Sequence, residues 1–178
     1  VCEDTEELYT YSDATYSSYD WSVVNGMKTS GGNSNEIQEV SFASSIITDQ
    51  VEISVNIGET IDGVECFATD EVLLVDIDAI PTVTFTNDPI TVACNSIGNV
   101  VSITNYDAAK YTYSIGEQIF VENVSILADQ VTFDVTSTIG SIEIIAVSKT
   151  GAVCEGNGVM NYTTAGCTNS VSVGDARV

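Results

Sequence analysis

Five cysteines, 26 carboxylates and a cluster of tyrosines are the residues of this 178-residue chain with chemistry to offer. There is no histidine, which excludes Ser-His-Asp and Cys-His nucleophilic arrangements. No glycine-rich loop ends on a lysine that could cradle a phosphate. Carboxylate pairs, as used in glycoside hydrolysis, are the one catalytic resource left. With so many Asp and Glu, pairs arise by chance and nothing marks one as buried, so no catalytic residue is assigned and the chain is read as non-enzymatic. Zinc is disfavoured as well, because the cysteines include no close pair and lack histidine partners.

Two binding chemistries remain open. Asp76-Ile77-Asp78 lies near an apparent domain junction and Asp107 lies in a predicted loop; acidic residues at such a junction can hold calcium and stiffen the joint. The same spacing also suits the solvent face of a strand, and the strict Asp-x-Asp-x-Asp-Gly loop is absent. No other cofactor is implied. Tyr9, Tyr11 and Tyr16, with Tyr19 and Trp21 after them, could stack on a polysaccharide, or could be ordinary core and cross-strand pairs. Trp21 is expected in the core.

The elements that would position these residues come in two copies. Cys2, Tyr19, Trp21, Ser22 and Val23 return as Cys94, Tyr111, Tyr113, Ser114 and Ile115; Asp49-Gln50-Val51 returns as Asp129-Gln130-Val131; Gly63 and Cys66 return as Gly151 and Cys154. A repeat of about 90 residues is a whole small domain. Residues 1–80 and 81–167 are read as the two domains, joined near Pro81, with 168–178 as a tail, linker or donated strand. The repeat suggests one disulfide per copy, Cys2–Cys66 and Cys94–Cys154, with loops of that length contributing roughly 4 kcal/mol each. Cys167 is then free, paired between chains, or a competitor for Cys154.

Periodicity is strand-like. Val51, Ile53, Val55 and Ile57 alternate with polar residues, as do Val131, Phe133 and Val135, and Thr82-Val83-Thr84-Phe85-Thr86 has the same pattern. Period two with polar partners means sheets with one buried face. Asn25-Gly26, Asp62-Gly63, Ile115-Gly116 and Thr150-Gly151 are turn signals. The expected fold class is all-β: two tandem immunoglobulin-like antiparallel β-sandwiches.

The formal charge is −22, with 44% hydrophobic residues. That hydrophobicity argues against disorder, and the charge repels nucleic acid and anionic lipid. No run of about 18 apolar residues could span a membrane, and no basic-then-apolar signal segment is found within these residues. A chain starting at Val1 is read as a processed product or a piece of something longer. Paired cysteines imply an oxidising, extracellular location.

Cys2, Tyr19-Asp20-Trp21-Ser22-Val23-Val24-Asn25-Gly26, Gly63-Val64-Glu65-Cys66 and a strand ending near Pro81 resemble a PKD-like or immunoglobulin-like repeat of secreted Bacteroidetes surface proteins, including adhesins of gliding motility and type IX secretion. Copy two departs in having Tyr113 for Trp21 and a shorter turn before Gly116. The resemblance implies a spacer or adhesive module. The expected function is therefore a structural subunit of an extracellular fibre or giant adhesin, with polysaccharide binding as the alternative. Copies of the chain itself, or neighbouring repeats, are the expected partners. In the tail, Val171 and Val173 alternate with Ser170, Ser172 and Gly174, a pattern that could add as a strand to a neighbouring domain.

Overall fold

The computed structural model describes residues 1–12, 16–31, 36–43, 50–68 and 71–167. These residues form fourteen strands and no helix. The chain divides into two compact units, one of Val1–Ile80 with Thr150–Cys154, the other of Pro81–Lys149 with residues from Glu155 onward. The backbone therefore passes from one unit to the other three times.

The first unit contains β1 (Glu6–Thr10), β2 (Ser18–Val24), β3 (Met27–Gly31), β4 (Ile37–Ser41), β5 (Gln50–Ile61), β6 (Val64–Phe67) and β7 (Glu71–Asp76). One sheet has the order β1-β4-β3; the other has β2-β5-β6, with β7 also on β5. β5 is the spine of the second sheet. Its Val51, Ile53, Val55 and Ile57 point inward, where they pack with Tyr19, Trp21, Val40 and Phe42. β5 turns into β6 through Asp62 and Gly63, both with positive φ, the conformation a two-residue hairpin turn requires. β6 pairs with residues 58–61 of β5 and β7 with residues 50–55. Ala68 N–H donates to the Ile57 carbonyl between them at 2.8 Å. β6 and β7 are thus one interrupted strand along a single edge.

The second unit contains β8 (Ile90–Ala93), β9 (Asn99–Ser102), β10 (Tyr111–Ile119), β11 (Val121–Leu127), β12 (Gln130–Val135), β13 (Ile139–Ser148) and β14 (Glu155–Ala165). Its sheets have the orders β11-β12-β9 and β10-β13-β14-β8. Val131, Phe133, Ile142, Ile144, Met160 and Tyr162 form the centre of its core. A Cβ on Gly158 would collide with the carbonyl of Val83, so the backbone there packs too closely for any side chain.

The two units match strand for strand. β1, β4 and β3 correspond to β9, β12 and β11; β2, β5 and the β6–β7 edge correspond to β10, β13 and β14. Both are antiparallel β-sandwiches of immunoglobulin-like type. The difference is β8, which runs parallel to β14 immediately before Cys94. At the matching place in the first unit there is an isolated parallel bridge, Cys2 with Asp78.

Three local expectations need correction. Ile115-Gly116 is not a turn; it sits inside β10, where the register shifts between Ile115 and Gln118. Thr82–Thr86 does not form a regular strand. Val83 is buried as its alternation implies, but Thr84 N–H donates to the Asn105 side chain at 3.1 Å, and only Phe85 makes a bridge, to Ile103. The disulfide pairing is also different: Cys2 bonds Cys154, Cys94 bonds Cys167, and Cys66 is an exposed free thiol. The reason is strand length. Cys2 lies beside Asp78 at one end of the β6–β7 edge, while Cys66 lies in β6, twelve residues away along it. At about 3.3 Å per residue that separation approaches 40 Å, whereas bridged Cα atoms must lie within about 7 Å. Cys94 and Cys154 are related in the same way along β14. The observed pairs have Cα separations of 5.6 and 5.4 Å.

Candidate functional site

A cleft of about 390 Å³ opens between the two sheets of the first unit. Tyr9, Thr10, Tyr11 and Ser12 form one wall, Val72 and Leu73 the other, and Trp21, Ile53 and Val55 the floor. Both walls are edge strands: among the described residues β1 pairs with β4 and β7 with β5. Leu73 is the register partner of Ile53, and direct partners in an antiparallel pair share a face of the sheet. Leu73 therefore points to the core side. Yet it is 48% exposed, while Ile53 is 2% exposed. Leu73 itself is open to solvent, while Trp21, Ile53 and Val55 beneath it are buried. Val72 and Leu74, on the opposite face of β7, are each 57% exposed.

These three β7 residues were not anticipated as a site. The signal is legible in retrospect: Val72-Leu73-Leu74-Val75 is a continuous apolar run, the pattern of a strand covered on both faces. An edge strand with that composition is a template for pairing.

Of the predicted tyrosines, Tyr9 and Tyr11 line the same cleft; together with Tyr16 and Tyr19 they form no flat platform. Tyr11, Tyr16 and Tyr19 meet one another at centroid distances of 6.0–6.4 Å in tilted and edge-to-face geometry, and Tyr9 meets Phe42 edge-on. All pack against the core. Burial, and then the charge of Glu7, pushes the Tyr9 phenol above its ordinary pKa. Trp21 is 5% exposed.

The predicted calcium ligands are engaged by protein donors. Asp76 Oδ1 accepts from Gln50 Nε2 at 2.7 Å, and Asp78 Oδ2 accepts from Ala152 N–H at 2.6 Å. Asp107, in the second unit, caps a turn by accepting from the N–H groups of Ala109 and Lys110. Among the described residues no three acidic or cysteine side chains gather to hold a metal ion. Val171 and Val173 lie outside the described residues.

Two carboxylates of the second unit have clearly perturbed ionisation. Asp134 accepts from Asn123 Nδ2 and from Gly98 N–H, both at 2.7 Å, and these bonds hold its pKa below the ordinary Asp value. Glu143 accepts from Glu117 N–H at 3.0 Å and from the Asn157 side chain, with the same effect. Both shifts run opposite to what a general acid needs. The two residues act as strand anchors.

No family model matches the sequence, and no curated protein matches it. Among solved structures, human protocadherin-24 EC1–2 is 12% identical over 83% of this chain and 82% of that one, with a TM-score of 0.32. Mouse cadherin-23 EC22–24 is 11% identical over 92% and 67%, with a TM-score of 0.34. An endo-fucoidan hydrolase of glycoside hydrolase family 107 is 10% identical over 92% and 27%, with a TM-score of 0.33. Likeness at this level carries no argument about kinship or activity. The sandwich class rests on the sheets themselves.

Proposed function

We propose that this chain is a non-catalytic structural module of an extracellular fibre or large surface adhesin, built from repeats of the PKD-like type found in secreted Bacteroidetes surface proteins. The observation that carries this reading is the strand-for-strand match of two sandwich units in one chain. Repetition of a small domain builds length and spacing, and Asp76, Asp78, Asp107, Asp134 and Glu143 accept hydrogen bonds from protein donors. The two disulfides support an oxidising compartment. The charge of −22 keeps such a surface soluble and disfavours anionic partners.

The test is surface labelling. Antibodies raised against the oxidised chain should label intact producing cells, and electron microscopy should place the label on external fibres or a surface layer. Labelling that requires permeabilised cells, or turnover of a polysaccharide by the purified chain, would overturn the reading.

A further inference from the structure

We propose that the Asp62–Cys66 hairpin tip docks on the Cys94–Cys167 bond of a second copy of this chain and exchanges with it, leaving Cys66 joined to the second copy's Cys94. The inference rests on the structural-module reading and names that module's covalent partner.

The chain contains the same hairpin tip twice. Asp62-Gly63-Val64-Glu65-Cys66 carries β5 into β6, and Thr150-Gly151-Ala152-Val153-Cys154 leads from β13 to β14. Gly63 and Gly151 both have positive φ, 79° and 74°, and each stands in a Gly-x-x-Cys spacing. The second tip, which belongs to the first compact unit, shows what such a hairpin does. Ala152 N–H donates to the Asp78 carboxylate at 2.6 Å. A Cβ on Gly151 would collide with that carboxylate, so the glycine permits the close approach. Cys154 then bonds Cys2 and is buried. The first tip has the same glycine and the same cysteine, and its thiol is exposed and free.

Cys2, the residue that Cys154 bonds, is matched by Cys94. Cys2 makes a parallel bridge with Asp78, and Cys94 directly follows β8, the strand parallel to β14. Cys94 is already bonded to Cys167, so a new bond to it forms by exchange. The Cys66 thiol gives its proton to water and the thiolate attacks Cys94 Sγ. The Cys94–Cys167 bond breaks, its electron pair leaves on Cys167 Sγ, and that sulfur takes a proton from water. One thiol is consumed and one released, so no oxidant is needed. Cys167 is exposed, and a cavity of about 310 Å³ beside the bond is lined by both cysteines with Asn95, Thr136, Ser137 and Thr138. Charge selects this seat. The Thr150–Cys154 tip is uncharged and rests against Asp78, whereas the Asp62–Cys66 tip carries Asp62 and Glu65. An acidic tip is repelled by a carboxylate seat. It is accepted by the Cys94–Cys167 cavity, whose lining offers amide and hydroxyl donors and no charged side chain.

The test mixes isotope-labelled and unlabelled oxidised full chain at high concentration and high salt, without oxygen, followed by alkylation and peptide mapping without reduction. The expected result is linked species on a non-reducing gel and a Cys66–Cys94 peptide pair with one labelled and one unlabelled member. Alkylation should move from Cys66 to Cys167, still one thiol per chain. Cys66→Ser should abolish the links. Gly63→Asn keeps the positive φ, which Asn tolerates, and has space in the single chain, since nothing lies within 4 Å of a Cβ there. It adds a side chain where the matched Gly151 has no room for one. Gly63→Asn should therefore slow exchange between chains at least tenfold, while its Cys66 reacts with a small-molecule disulfide at the unaltered rate. Chains that stay unlinked overturn the proposal. So does a Cys66–Cys66 or Cys66–Cys167 pair in place of Cys66–Cys94, or exchange by the Gly63→Asn chain as fast as by the unaltered one. Surface labelling is independent of these outcomes, so failure of exchange is distinguishable from failure of the module reading.

Discussion

Cutting the chain between Ile80 and Pro81 should leave it in one piece. A protease site introduced there separates residues 1–80 from the rest of the backbone, but the Cys2–Cys154 bond, spanning 152 residues, still joins the two fragments. On a non-reducing gel the cleaved protein should run as one species; with reductant, or in Cys154→Ser, it should split in two. The stability effect follows from loop closure. If the second unit stays folded, the bond closes about 85 residues of unfolded first unit, worth about 4.5 kcal/mol on the chain-entropy estimate; if both units unfold it is worth about 5 kcal/mol. Against a domain stability of roughly 5–15 kcal/mol, Cys154→Ser should lower the first unit's melting temperature by roughly 20–35 °C, at 4–8 °C per kcal/mol for a domain of this size. Calorimetry measures the shift, and thiol titration of the oxidised protein should find the one group of Cys66. Fragments that separate without reductant, or a recovered Cys2–Cys66 peptide, would refute the pairing.

Three further outcomes are expected. Trp21→Ala removes a large side chain from the floor of the first core and should cost about 3–5 kcal/mol by denaturant titration; an emission spectrum of fully solvated indole in the unaltered protein would contradict its burial. Asp134 has a depressed folded pKa, so its contribution is complete above the unfolded value of about 3.9 and is lost as pH falls through the folded value. The stability gap between the unaltered chain and Asp134→Asn should therefore close on acidification, and a gap that widens would reverse the assignment. Calcium and magnesium at equal ionic strength should shift the melting temperature equally; a calcium-specific shift abolished in Asp76→Asn would restore that residue as a ligand.

Much of the fold was legible because strand burial is written in alternation. Val51, Ile53, Val55 and Ile57, or Val131, Phe133 and Val135, show a period of two that only one face of a sheet explains, and Asp62-Gly63 gives the hairpin its required backbone. What escaped was governed by distance along an edge. Repeat logic pairs each early cysteine with the Gly-x-x-Cys of its own copy, since composition carries no information on which end of a strand is near. Ile115-Gly116 looked like a turn because a bulge and a turn use similar residues. The cleft escaped because the exposure of Val72, Leu73 and Leu74 depends on packing between strands distant in sequence, which no local pattern records. Asp76, Asp78 and Asp107 were chosen for their charge, and each also accepts a hydrogen bond from a local N–H or amide donor, a contact that composition does not record.

The two cystines also decide how the molecule carries mechanical load. Tension applied between residues 1 and 178 passes from Cys2 straight to Cys154, so that residues 3–153 drop out of the force path. Fully reduced, the chain can be drawn out to about 620 Å; oxidised, only about 27 residues lie in series, or about 95 Å. Even within those, Cys94–Cys167 holds the end of β14 against the start of its unit. A pull that would unravel an unlinked pair of sandwiches is borne here by covalent bonds, and neither core has to open for the molecule to stay taut.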